Sequence, residues 1–532
     1  MNPADRRPAI GAPAPRHGSS PDLGAGSGPW LALAPPAPWP GTPREGLRAT
    51  LFLLAHIPLG IALRVVPLLS TAHALAAVLF GFWLVQRGRK EQGRLVALMA
   101  YIVGSEPIWR ATGARVFYET GKYALVALAI YAVMRFNRLG KFRLAPLAYF
   151  FFLVPSLLVL PYFSKDDISF NLSGPMALGF AAAYLGGQRM DLGTVRRTLT
   201  GLLAPILSLV TIASFSTVTT SSINFYSSKV ASGGLGQNQA SSALGLAALV
   251  AFLLIFQGDL PRRFQWVVTL VGLWCAGQGL LTFSRGGMLT ALIAAAAAGF
   301  FLLQDRRSRS ALVARTFFAA LVGLFLLWPF LNTFTGGELE NRFRDDSLTG
   351  RDRIIEGDLL AFQENPLLGV GPGQSRYWHA LTFKVSAAHT EYTRTLAEHG
   401  SLGAISLLLL TFLSIRNVLS QRTPAAKALA AAFTVWTLLF MFHAALRMAA
   451  PAFVFAFAGG RLLATMPVHG ARQTVRSPVG GRGWNPAWGP NPISARRRIQ
   501  PAVDTPLGRA SGRGSVPGSN PDPNPNPSPH GA

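Results

Sequence analysis

Between residues 47 and 466 the chain alternates long apolar runs with short, arginine-rich stretches. Fourteen of these runs read as membrane spans, over 47–63, 66–86, 94–109, 122–136, 144–163, 168–186, 198–217, 239–257, 264–283, 286–303, 312–331, 400–416, 425–444 and 447–466. A helix of about twenty residues crosses the hydrocarbon and satisfies its own backbone groups there. The pattern predicts an all-α polytopic transmembrane helix bundle of about 12–14 spans, with one large, partly helical loop at 332–399 between the eleventh and twelfth.

Charge orients these spans. With the N-terminus in the cytoplasm, the loops after even-numbered spans carry 19 Lys or Arg and the six opposite short loops carry 8. That bias places both termini inside and the 68-residue loop outside. Composition agrees: 50% of residues are hydrophobic and only 14% charged, against about a quarter charged in soluble proteins. The net charge of +26 is spread between apolar runs, so it speaks for membrane orientation and not for a nucleic-acid face. The single cysteine, Cys275, lies inside an apolar run and rules out an intramolecular disulfide or a cysteine metal cluster. Residues 1–46 and 467–532, rich in Pro and Gly, read as disordered tails; the second is basic and suits the anionic cytoplasmic surface of a bilayer.

Loops of such length usually carry function. In this one, Thr349-Gly350-Arg351 opens a helix expected over 352–363 that must stop near Asn365-Pro366. Leu367-Leu368-Gly369-Val370-Gly371-Pro372-Gly373 follows as a tight turn. It lacks the Gly-Lys-Ser/Thr of a nucleotide loop and reads as structural, although Gly371 and Gly373 would let backbone approach a ligand. Residues 388–400 read as a second helix ending at Gly400. On it His389, Tyr392, Thr393 and Leu396 share one face, while Glu391, Arg394 and Glu398 share the next. His389 has the chemistry of a general base, and spacing alone equally suits a buried, hydrogen-bonded histidine. For Glu391, Arg394 and Glu398, spacing favours a solvated charge pair. His379 and His399 have no pattern that raises them.

A second cluster, Ser284-Arg285-Gly286-Gly287, puts an arginine at the outer edge of two apolar runs, where charge is costly and usually has a task. Gly234-Leu235-Gly236-Gln237-Asn238-Gln239 reaches the same side, and Gln237 and Asn238 offer amides for sugar hydroxyls or for a helix cap. Arg285 and Arg351 together point to an anionic ligand, because guanidinium forks two hydrogen bonds onto phosphate oxygens. Asp345-Asp346 lacks the companions of a metal site. Glu106, Arg110, Arg115, Glu119 and Lys122 form either a second polar wall or charge-paired loop residues. A transporter would favour charged or broken helices at mid-membrane and internal repeats, and neither is clear in the sequence.

Taken in order, Ser284-Arg285-Gly286-Gly287, Gly350-Arg351, Asn365 to Gly373, His389-Thr390-Glu391-Tyr392, Glu398-His399-Gly400 and Gly403 resemble the O-antigen ligase and polymerase superfamily over about residues 230–415. The resemblance implies a metal-independent glycosyltransferase of the bacterial inner (cytoplasmic) membrane, working without a cofactor. It would move a glycan from undecaprenyl diphosphate to a sugar of lipid A-core or of a growing polysaccharide. A polymerase of O-antigen or exopolysaccharide shares these motifs, and a polysaccharide flippase is the remaining alternative. By the same resemblance Arg285 and Arg351 would hold the diphosphate and His389 would act in catalysis, with Glu391 as alternative base or orienting partner. Gln237, Asn238, Gly371, Gly373 and Tyr392 would touch glycan or shape the loop. Two positions depart from the family pattern: Ile355 replaces an aromatic residue and Thr390 an asparagine.

Overall fold

The computed structural model describes residues 42–136, 143–219, 228–256, 260–304, 306–344, 350–382 and 388–463, all within the unit Met1–Val468. The tail residues 1–41 and 464–532 and the pair Asp345-Asp346 lie outside the described residues. The helix α1, Pro43–Leu54, begins inside the stretch expected to be tail, because Thr42 and Glu45 cap it reciprocally and proline occupies its first position.

Every expected span is helical over part or all of its length. After α1 come α2 (His56–Val65), α3 (Pro67–Arg87), α4 (Gln92–Ala111), α5 (Thr120–Arg135), α6 (Ala145–Phe151), α7 (Lys165–Leu185) and α8 (Leu192–Val218). The middle of the chain gives α9 (Gln237–Phe256), α10 (Arg262–Leu281), α11 (Arg285–Leu302) and α12 (Arg306–Val322). Among the described residues ten helical segments are long and apolar enough to cross a membrane. This is a multi-pass, all-α bundle.

The other four expected spans differ, each for a physical reason. The segment α4 is long enough, yet it carries Glu106 and Arg110. The helix α5 is 16 residues long, and the apolar stretch Ala145–Val159 tightens into a 3₁₀ segment after α6. The last expected span, 447–466, is a helix only over Ala449–Ala458, designated α18, and all ten of its residues are buried. At about 15 Å it reaches roughly half-way across the hydrocarbon. The chain then turns at Gly459-Gly460 into β2 (Arg461–Leu463), which pairs parallel with β1 (Arg189–Asp191). A half-length helix with buried charges beside it is thus present, although the sequence showed neither clearly.

Small residues bring the helices close. A Cβ on Gly201 would lie 2.7 Å from the Ala97 carbonyl oxygen, and one on Gly104 would lie 2.5 Å from that of Leu202, so α4 and α8 run in backbone contact. Gly287 packs α11 against the backbone of Ser241 and Ser242 in the same manner.

The loop is largely helical: α13 (Glu338–Arg344), α14 (Arg351–Glu364) and α15 (Ser375–Thr382) precede α16 (Glu391–Leu419) and α17 (Pro424–His443). The helix α14 starts and stops where Gly350 and Asn365-Pro366 required.

Candidate active site

The glycine-rich turn and the end of the loop form one structure. Gly400 breaks α16 with φ 61 and ψ −142, and a Cβ there would lie 2.5 Å from the Leu367 carbonyl oxygen. The turn takes up backbone groups that the break releases: Val370 N–H donates to Ala397 O at 2.9 Å and Gly371 N–H to Glu398 O at 3.1 Å. Ser401 donates both its N–H and its hydroxyl to Pro366 O, each at 2.7 Å. Leu367 to Gly373 therefore holds the kink that sets the loop helix on its membrane span. Gly371 and Gly373, both at positive φ, pack against Leu160 and against Asn171 and Asp167.

His389 does not sit on that helix. Thr390 is the N-cap, accepting from Tyr392 N–H at 3.3 Å, so the first turn begins at Glu391 and His389 precedes it. A residue that caps through its side chain stops helical geometry at its own position, and periodicity does not register this. Tyr392 donates its hydroxyl to Leu438 O at 2.9 Å and packs on Phe442, which ties α16 to α17.

Glu391, Arg394 and Glu398 are buried, not solvated. Arg394 bonds Glu391 Oε1 at 2.6 Å and Glu398 Oε2 at 2.7 Å, and reaches Asn171 Oδ1 at 3.2 Å. Glu391 Oε2 also accepts the Leu446 N–H at 3.1 Å. A second buried network joins α4 and α5, where the sequence reading placed a loop. Arg110 bonds Glu106 at 2.5 Å, Lys122 bonds Glu119 at 2.6 Å, and Glu106 Oε2 accepts the Ala449 N–H at 2.6 Å. Arg115, by contrast, stays at the loop surface, its N–H donating to Thr71. The two networks meet on residues 444–449, where Arg110 donates to Arg447 O at 2.9 Å. Burial becomes affordable for these charges because each has an opposite partner, and Arg110, Glu106, Glu391 and Arg394 have hydrogen bonds besides.

Two histidines without sequence signal are also engaged. His379 Nε2 lies 2.7 Å from Asp358 Oδ1, and Asp358 Oδ2 accepts from the Thr393 hydroxyl at 2.6 Å, so one buried carboxylate binds α15 and α16 to α14. His399 Nδ1 lies 2.7 Å from Ser156 Oγ.

A cavity of about 340 Å³ opens beside this assembly, with Lys229, Gln237, Asn238, His389, His443 and Arg447 in its wall. A smaller one of about 60 Å³, reaching Asn171, Arg376, Glu391, Arg394 and Gly373, shares Arg447 with it. His443 marks the edge nearest the guanidinium groups: a Cβ on Gly286 would fall 2.8 Å from its Cδ2, and Arg351 lies within its electrostatic reach.

Arg285 and Arg351 each open a helix, α11 and α14. Ser284 Oγ donates to Asn238 Oδ1 at 2.8 Å, which fixes the start of α11 to the cavity wall. Arg342 Nε donates to the carbonyl of Phe283, a residue at φ 55, at 3.3 Å. Burial, then the like charges of Arg342 and Arg285, hold the Arg351 guanidinium below the usual arginine range. A helix N-terminus disfavours cations and accepts anions, so an arginine placed there suits an anionic ligand. Among the described residues no three His, Cys, Asp or Glu side chains are placed to hold a metal ion.

Residues 270–408 match the family model described as O-Antigen ligase. This match supports the O-antigen ligase and polymerase superfamily, whose work is membrane processing of lipid-linked glycans. No curated protein is significantly similar to the chain. The matched segment contains Arg285, Arg351, the turn, His389, Glu391 and the kink. His443, Arg447, Gln237 and Asn238 come from outside it, so the cavity is completed by parts of the chain that the family pattern does not cover. Arg342 lies within the segment, and sequence reasoning passed over it. For His443 the one signal was a histidine closing an apolar run at the end shared with the long loop.

Proposed function

We propose that the protein is a glycosyltransferase of the bacterial inner membrane that moves a glycan from undecaprenyl diphosphate to an acceptor sugar at the outer face, as an O-antigen ligase does. The observation that carries this reading is the cavity walled by His389, His443, Gln237 and Asn238, to whose wall the start of α11 is tied by the Ser284–Asn238 bond, with the charges of Arg285 and Arg342 acting on Arg351. In this reading the guanidinium groups neutralise charge that grows on the departing diphosphate, which matters most in the transition state. The acceptor hydroxyl oxygen bonds to the anomeric carbon while the bond from that carbon to the diphosphate oxygen breaks. The hydroxyl proton passes to the His389 imidazole, and a single displacement inverts the centre. His389 is preferred to Glu391 as base because it lines the larger cavity, whereas Glu391 is held by Arg394 and the Leu446 N–H. Glu391 then orients the chain next to His389. The amides of Gln237 and Asn238 suit sugar hydroxyls.

Complementation of a deletion strain tests the reading. Arg285→Ala and Arg351→Ala should each insert normally into the membrane and leave lipid A-core bare, with polymer accumulating on its carrier. Normal transfer by either variant overturns the diphosphate assignment. Unchanged polymer with His389→Ala removes the base. A deletion strain that instead caps its core with single repeat units identifies a polymerase.

A further inference from the structure

Far from that site in sequence, α1, α3, α4 and α8 enclose an apolar slot of about 720 Å³, within the roughly 300–1,000 Å³ of ordinary small-ligand cavities. Its wall includes Phe52, Ala76, Ala77, Phe80, Leu84 and Leu98. The back is closed by the glycine contacts between α4 and α8. At one end stand Arg94 and Arg197, and Arg87 lies over the Trp83 ring close by. The arginine bias assigns this end to the cytoplasm.

The far end is polar by composition and satisfied in fact. Trp109 Nε1–H donates to His73 Nδ1 at 2.9 Å, so His73 presents Nε2–H to the Tyr101 oxygen at 2.8 Å. His56 Nδ1–H donates to Phe52 O at 2.8 Å, which leaves its Nε2 to accept from the Tyr101 hydroxyl at 3.1 Å. Each ring nitrogen and the Tyr101 hydroxyl in this relay has its partner, so the relay makes no demand for a polar ligand. What the slot selects is a ligand with an apolar tail and a negative head, because the charge is confined to the mouth. Glu91 and Asp191 are the acidic residues there: Glu91 pairs with Arg94 at 2.9 Å and Asp191 caps α8 through Thr194 N–H. Together with Arg87, Arg94 and Arg197 they leave the mouth net positive.

We infer that this slot binds one anionic glycerophospholipid, its phosphate on Arg94 and Arg197 and one acyl chain running along Phe80 and Leu98 to the Tyr101 level. Snorkelling arginines beside an anionic headgroup and an aromatic rim are the chemistry that recognises such a lipid. The site lies outside the O-antigen ligase segment and does not depend on the transfer reaction.

Native mass spectrometry of the full-length protein in detergent, titrated with phosphatidylglycerol, phosphatidylcholine or a polyprenyl monophosphate, tests the inference. Wild type should retain one phosphatidylglycerol about ten-fold more tightly than phosphatidylcholine. Ala76→Trp, which fills the slot from its exposed side, and the pair Arg94→Gln with Arg197→Gln should each weaken that binding about ten-fold or more. Size-exclusion profiles report folding. Should the double glutamine variant fail to fold, Ala76→Trp decides alone. Equal binding of the two phospholipids, undiminished phosphatidylglycerol binding by a folded variant, or displacement of phosphatidylglycerol by equimolar polyprenyl phosphate would each overturn it.

Discussion

Two groups of arginines lie on the loop side of the bundle and differ in their company. Arg394 and Arg110 sit in buried networks with Glu391, Glu398, Glu106 and Glu119, within bonding distance of the carboxylates. Arg351 instead feels Arg342 and Arg285, charges of its own sign. The first arrangement is complete without a ligand and costs little to keep. In the second, the charges of Arg342 and Arg285 act on Arg351, a setting that an added anion would favour. Charge matched by charge thus holds the loop onto the bundle, whereas the arginine group is where the proposed function puts its anionic substrate. Residues 444–449, whose backbone groups bond Arg110, Glu106 and Glu391, let the half-length α18 sit deep in the bundle without exposing backbone to lipid.

The sharpest way to break this comparison is to remove one arginine from each group. Arg394→Met strands two buried carboxylates, and breaking a buried ion pair on one side costs about 3–5 kcal/mol. The variant should show a much lower thermal midpoint and little monodisperse protein in fluorescence-detected size exclusion. Arg351→Met, at the like-charged cluster, should leave the thermal midpoint within the range of wild type. Equal stability of the two variants would erase the distinction between them.

Activity should read the reverse order. In Arg351→Met the folded protein persists while glycan transfer falls by about 100–1,000-fold, the usual loss when one preorganised charge donor is removed from a transition state. Arg351→Lys should recover only part of it, because the ammonium cannot fork two bonds onto phosphate oxygens. A time course of transfer in membranes containing equal amounts of each variant measures both effects. Full activity in Arg351→Met would show that the repelling cluster has another purpose.

The same contrast explains what a reader of the sequence sees. Apolar runs and arginine bias are local, so the helices, the bundle and the break at Asn365-Pro366 are all legible. So are Arg285 between two apolar runs, and Arg351 and His389 in the long loop, as unusual residues. Partnership is not local. Arg394 finds Asn171 across 223 positions and Glu106 finds Ala449 across 343, so no window along the chain reveals that these charges are buried. The shortness of α18 is only partly legible: Gly459-Gly460 and Arg461 interrupt the run locally, whereas the pairing of Arg461–Leu463 with Arg189–Asp191 that follows is not local. His389 was misplaced by a single capping residue.

The kink offers a smaller effect that separates shape from charge. Gly400 has φ 61 and faces the Leu367 carbonyl, so Gly400→Ala meets both backbone strain and a close contact. Strained positions cost about 1–3 kcal/mol each. The variant should lose stability by that amount and, because α16 carries the residues that follow His389, lose transfer roughly in parallel. Stability that falls while activity per folded molecule stays at wild type would show that the turn holds the span and has no part in placing the site.

The smallest effect belongs to Thr390, where the sequence departs from the pattern of the family it resembles. As N-cap it accepts one hydrogen bond, at 3.3 Å, from Tyr392 N–H. Caps of this kind contribute about 0.5–2 kcal/mol when replaced by alanine, and the long bond puts Thr390→Ala near the low end. Asparagine caps at least as well as threonine, so Thr390→Asn should restore or slightly exceed wild-type stability and keep His389 outside the helix. The departure then changes the side chain and preserves its task. Thermal midpoints of the two variants, read beside their transfer rates, decide it: if Thr390→Asn behaves like Thr390→Ala, capping is not why a polar residue stands next to His389, and contact with the acceptor becomes the better account of that position.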